Sequence, residues 1–162
     1  FNEQNQMNWL FYYSRGICNE RLGRWKEADQ DLLNSIQLSP KQYSVINYLA
    51  YSWLERKQNI PQAKKMLEQA VQLSDWKYGY IIDSLGWAYY LLNDYSKAEM
   101  ILQIAYEKTP YELEIYDHYG DVLWMNNKKV QARHVWKNAM KLQGTNKENI
   151  DELNNKIING IN

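Results

Sequence analysis

The chain has 162 residues, with 19 basic and 19 acidic side chains that cancel to a formal charge of zero, so nothing draws it as a whole toward nucleic acid or anionic membrane. It is 45% hydrophobic with only 7 Gly and 3 Pro, which suits a helical chain with short loops, and no run approaches the ~20 apolar residues of a membrane span. Cys18 is the single cysteine, which excludes an internal disulfide; in mid-helix with no reactive neighbour, it is expected to be a small packed side chain.

Residues 1–8 are polar and read as a lead-in to the first helix. Helical spacing of apolar residues then runs through Trp9 to Arg21, turns at Leu22-Gly23, and returns from Trp25 to Leu38, where Pro40 stops it. Helices follow near 42–56 and 61–73, with Pro61 tolerated in a first turn because its missing N–H is not needed there. Two more pairs cover 78–92 with 95–108, and 112–126 with 129–142. In the clearest copy, Ile82, Leu85, Gly86 and Tyr89 make one apolar stripe and Ala98, Leu102 and Ala105 a second. Leu92-Asn93-Asp94 between them is too short to do anything but fold one helix back on the other. A helix-interior glycine costs about 1 kcal/mol against alanine, so Gly86 implies close packing. Thr145-x-x-Glu148 reads as a capping box opening a last helix, with Ile150, Leu153, Ile157 and Ile158 on its buried face.

The small residue of the second helix recurs as Ala28, Ala63, Ala98 and Ala132, at intervals of 35, 35 and 34 residues. Gly16, Tyr51, Gly86 and Gly120 recur on the first helix at the same intervals. Two columns in register define four hairpins, and a hairpin that cannot bury both faces must stack on its neighbours. Trp136 falls in the column of Leu32, Leu67 and Leu102 and is expected in the core. Tyr51 is the one bulky residue at a small position, with Ala50 beside it placed to take over by a slight rotation.

The pattern Leu85-Gly86-x-x-Tyr89, Tyr95-x-x-Ala98, Leu102, Ala105, Pro110 resembles the tetratricopeptide repeat. The resemblance implies an all-α, right-handed superhelical solenoid of four stacked helix-turn-helix hairpins over 9–142 (9–42, 44–78, 79–112 and 113–144), closed by a capping helix at 145–160. It also implies that the first helices line a concave groove. Segments such as Asp83-Ser84-Leu85-Gly86-Trp87 and Asp117-His118-Tyr119-Gly120-Asp121 are similar to the C-terminal repeats of long bacterial tetratricopeptide proteins, some of them exported or lipoprotein adaptors. That likeness leaves the compartment open between periplasm, membrane anchorage and cytoplasm. The chain begins at Phe1, and its first hairpin carries Trp9, Phe11, Tyr12 and Tyr13 without a cap. Further repeats are expected before it, with homodimerisation through that face as the alternative.

No catalytic constellation, cofactor motif or metal-ligand spacing appears. His118, with Glu114, Asp117 and Asp121 on its own helix, is expected to belong to a solvated or hydrogen-bonded polar face. The inward positions that the family implies are Tyr13 in the first repeat, Tyr48 and Glu55 in the second, Tyr80, Asp83, Trp87 and Tyr90 in the third, and Glu114, Asp117, Asp121 and Trp124 in the fourth. They predict an aromatic groove with acidic spots, suited to a protein or peptide segment with apolar anchors and Lys or Arg. The other reading of Trp87 and Trp124 is core, and the other reading of the whole chain is a structural segment without a groove ligand.

Overall fold

The computed structural model describes residues 3–161, with side chains from residue 8 onward. Among these the chain is all-α, in two compact units, Phe1–Asp75 and Trp76–Asn162. The first unit holds α1 (Glu3–Arg21), α2 (Trp25–Leu38), α3 (Tyr43–Glu55) and α4 (Ile60–Leu73), and the second α5 (Gly79–Leu91), α6 (Tyr95–Lys108), α7 (Leu113–Met125), α8 (Lys129–Ala139) and α9 (Lys147–Asn159). Each odd helix up to α7 pairs with the next as a hairpin. Within the units α2 packs on α3, α6 on α7, and α9 on α8. The lead-in expected at 1–8 lies partly outside the described residues, and α1 already runs from Glu3.

All four hairpin turns use one device. The N–H groups of Gly23 and Arg24 bond back to the carbonyls of Glu20 and Asn19, and Lys57 and Gln58, Asn93 and Asp94, and Asn127 and Lys128 repeat the pattern. This is the Schellman closure, which needs a left-handed residue after the helix. Gly23, Asn93 and Asn127 supply it with φ of 71°, 62° and 61°, whereas Lys57 adopts 53° without the freedom of glycine or the local hydrogen bonding of asparagine.

The four alanines of the second-helix column are buried to 1% exposure or less. The room left by the first-helix glycines is filled by a different column from the alanines. A methyl group added at Gly16 would meet Leu32, one at Gly86 would meet Leu102, and one at Gly120 would lie 2.2 Å from Trp136 Nε1. Trp136 is fully buried, so the fourth hairpin seats an indole where the others seat leucine. In the second hairpin Ala50 is fully buried and Tyr51 half-buried.

Three expectations need correction. Cys18 is exposed, because it falls on the solvent side of α1. The cap of α9 is Asn146, whose side chain accepts from the Asn149 N–H, because the Thr145 hydroxyl is engaged with the Ala139 and Leu142 carbonyls at the end of α8. Ile158 is 73% exposed, while Leu153 is buried and Lys156, one turn on from it, points inward.

Candidate functional site

In the first unit α1 and α3 meet through Tyr13 and Tyr48, whose rings lie edge to face at 5.9 Å. The Tyr48 hydroxyl donates to Glu20 Oε2 at 3.1 Å. Burial, then the Glu20 charge and this hydrogen bond, push the Tyr48 phenol up to about 12, so it stays a donor. Trp9 leans on Tyr13 at 6.3 Å. Glu55 stands exposed at the end of α3 and joins none of these contacts. Arg56 beside it turns away to Asp29, at 2.6 Å.

In the second unit α5 and α7 bury charge between them. Asp83, on α5, is 3% exposed, and its Oδ2 lies 2.9 Å from Nδ1 of His118 on α7. Desolvation disfavours the imidazolium, but Asp83, and then Glu114 and Asp117, outweigh it and raise the His118 pKa to about 9. The protonated ring therefore donates from Nδ1. Trp87 lies parallel to His118 at 4.0 Å and to Tyr90 at 4.5 Å. Two parallel rings that close to one indole cannot share a face without clashing, so Trp87 is sandwiched between them. The cation on one side adds an attraction to the indole quadrupole. His118 is thus hydrogen-bonded as expected, but it is buried rather than solvated, and its partner comes from the neighbouring first helix rather than its own.

On α7, Asp117 beside His118 and Asp121 one turn on share a single cation. Lys156 Nζ, from α9, lies 2.6 and 2.7 Å from the Asp117 oxygens and 3.0 and 3.1 Å from those of Asp121. Burial and the Asp117 charge raise the Asp121 pKa even though Lys156 and His118 pull it down. Trp124 is covered as well. It packs at 5.7 Å on Trp136, with Lys129 and Arg133 over its ring at 5.0 and 4.9 Å. A Cβ at Gly160 would lie 1.9 Å from its Cζ2, so the end of α9 rests directly on the indole. Tyr80 and Glu114 remain towards solvent, Tyr80 48% exposed and in ring contact with Tyr78.

The structure therefore brings Tyr13 to Tyr48 in one unit, and Asp83, Trp87 and Tyr90 to the α7 face of Asp117 and Asp121 in the other. Lys156 and His118 were not among the predicted groove residues. The signal for His118 was the Asp three positions before the small site in one repeat, set beside the His two before it in the next. Lys156 had no repeat column against which to be read. Among the described residues no three His, Cys, Asp or Glu side chains are grouped to hold a metal, and no helix is long and apolar enough to cross a membrane.

No protein-family model matches the chain. A curated relative, the anaphase-promoting complex subunit 3 of Dictyostelium discoideum, is 30% identical over 74 residues, which is 44% of this chain and only 8% of the relative's length. Among solved structures, a thermophilic tetratricopeptide protein of Thermus thermophilus superposes with a TM-score of 0.80 at 17% identity, covering 96% of this chain and 84% of its own. YrrB, described as a tetratricopeptide protein with an unusual peptide-binding site, gives 0.70 at 16% identity over 87% of this chain and 72% of its own. The first tetratricopeptide domain of Spaghetti (RPAP3), bound to the HSP90 peptide SRMEEVD, gives 0.69 at 16% identity over 75% and 94%.

Proposed function

We propose, from the tetratricopeptide-repeat fold of this chain as premise, that it is a protein-interaction scaffold whose first helices receive a partner segment with apolar anchors and at least one Lys or Arg. Fold alone does not assign function, so the reading rests on the site. The observation that carries it is charge. On the face of α5 and α7 four carboxylates, Asp83, Glu114, Asp117 and Asp121, face two cations, His118 and Lys156, beside partly exposed aromatic rings. A basic side chain brings that face closer to neutral, and an acidic one worsens the imbalance. The partner chemistry is thus opposite to that of the acidic HSP90 peptide held by the RPAP3 domain. In the first unit Tyr13, Tyr48 and Glu55 offer the same combination with the acid exposed.

The test is a synthetic peptide array of amphipathic segments with and without Lys or Arg, probed with the wild-type chain and with a Glu55→Lys, Glu114→Lys variant of equal helicity. Retention of the basic peptides, falling with salt and at least ten-fold weaker for the variant, is expected. Unchanged retention by the variant rejects the acidic face as a binding site. If no peptide is retained and the mass rises with concentration, self-association through the first hairpin is favoured instead, where Leu10 and Phe11 are 51% and 57% exposed.

A further inference from the structure

The last helix does more than cover an apolar flank. Of its residues only Leu153 is buried, and a 13-residue helix is marginal without docking. What else holds it is on one side. Lys156, only 12% exposed, reaches Asp117 and Asp121, Arg133 Nε donates to the Ile157 carbonyl at 2.8 Å, and Gly160 lies on Trp124. These are the acidic and aromatic positions of the inward α7 face. One cation for two carboxylates is an incomplete match, which a segment bringing two basic groups improves.

We infer that α9 is a displaceable latch: Lys156 holds, from within the chain, the place on Asp117 and Asp121 that a lysine of an amphipathic partner helix takes, so that binding requires α9 to leave. This rests on the scaffold reading and adds regulation to it. The helix itself shows the kind of segment that fits, with a lysine one turn beyond a buried leucine and a glycine one turn further, where the chain must lie against an indole. Gly160 has a φ of +77° and no space for a side chain, so Gly160→Ala loosens that end while leaving every charge in place. Lys156→Met removes the charge and keeps the stem. Elements held by few buried contacts open first.

The experiment uses the full chain as wild type, Lys156→Met and Gly160→Ala, and two fluorescein-labelled peptides of sequence 146–161, one native and one carrying the Lys156→Met change. Anisotropy is expected to show the native peptide binding at least ten-fold more tightly to both variants than to wild type. The methionine peptide should bind none of them, and Asp117→Asn with Asp121→Asn should abolish binding in the Lys156→Met background. Hydrogen exchange should quicken at 147–159 in both variants and stay unchanged at 79–91. Equal affinity for all three chains, unchanged exchange in α9, or no binding to any chain overturns the latch. Because the array test relies on Glu55 and Glu114, it can succeed while the latch fails, and the latch can hold for the α9 sequence while the array retains nothing.

Discussion

In the first unit the residues three before the small site are Tyr13 and Tyr48 and those four after it are Glu20 and Glu55; in the second unit the same places hold Asp83 and Asp117, then Tyr90 and Trp124. Aromatic and acid have changed places on one register. In the first arrangement the acids lie in the last turn of their helices, where water screens them. The second sets them in mid-helix, and there Asp83 is buried, as is Asp121 one turn on from Asp117, which is tolerable only with counter-charges supplied from inside the unit. His118 and Lys156 are those counter-charges. The exchange converts a face whose acids lie at the helix ends into one whose buried charge also stabilises the fold.

The largest break in that contrast is Asp83→Ala. It leaves His118 buried beside Trp87 without its carboxylate and should destabilise the second unit by about 4 kcal/mol, read as an earlier urea transition. Next comes pH. The His118 value of about 9 lies above its ordinary 6.5, so the folded chain binds the proton more tightly. Its stabilisation is complete below pH 6.5 and is lost as pH rises through about 9, a fall of at most about 3 kcal/mol. The raised Asp121 value contributes a loss of the same sign at lower pH. Urea midpoints from pH 6 to 9.5 should therefore fall in wild type and flatten in His118→Gln. The smallest effect belongs to the first unit, where Tyr48→Phe removes only the bond to Glu20 and should cost about 0.5 to 1 kcal/mol with no new pH dependence below 9. A loss as large as that of Asp83→Ala would mean that the two faces do the same structural work.

The hairpins were legible because the small and large columns recur, and every copy constrains the others; Trp136 was placed in the core by its column alone. The register also put Tyr13 and Tyr48, and Asp83 and Asp117, at one place in successive first helices. Their pairing was not legible, because it depends on which residues of successive first helices face each other. His118 was weighed against Glu114, Asp117 and Asp121 on its own helix, although its hydrogen bond goes to Asp83, 35 residues earlier. The role of Lys156 was hidden for another reason. Four apolar residues were taken as the inward face of α9, yet a lysine with a buried stem and a satisfied head can share such a face with Leu153. Thr145 likewise fits the capping-box pattern, but its hydroxyl had stronger use for the carbonyls ending α8.

Repeats of this kind invite exchange, since a hairpin in register can in principle be cut from one array and placed in another. The pair of Gly120 and Trp136 restricts where the fourth hairpin can be cut. Its first helix accepts the large second-helix residue only because it offers no Cβ there, and its second helix, set against an alanine, would be driven apart. The two halves of that hairpin are matched to each other, so a join at the turn between them keeps the indole seated only where the incoming first helix also brings a glycine, as α1 and α5 do.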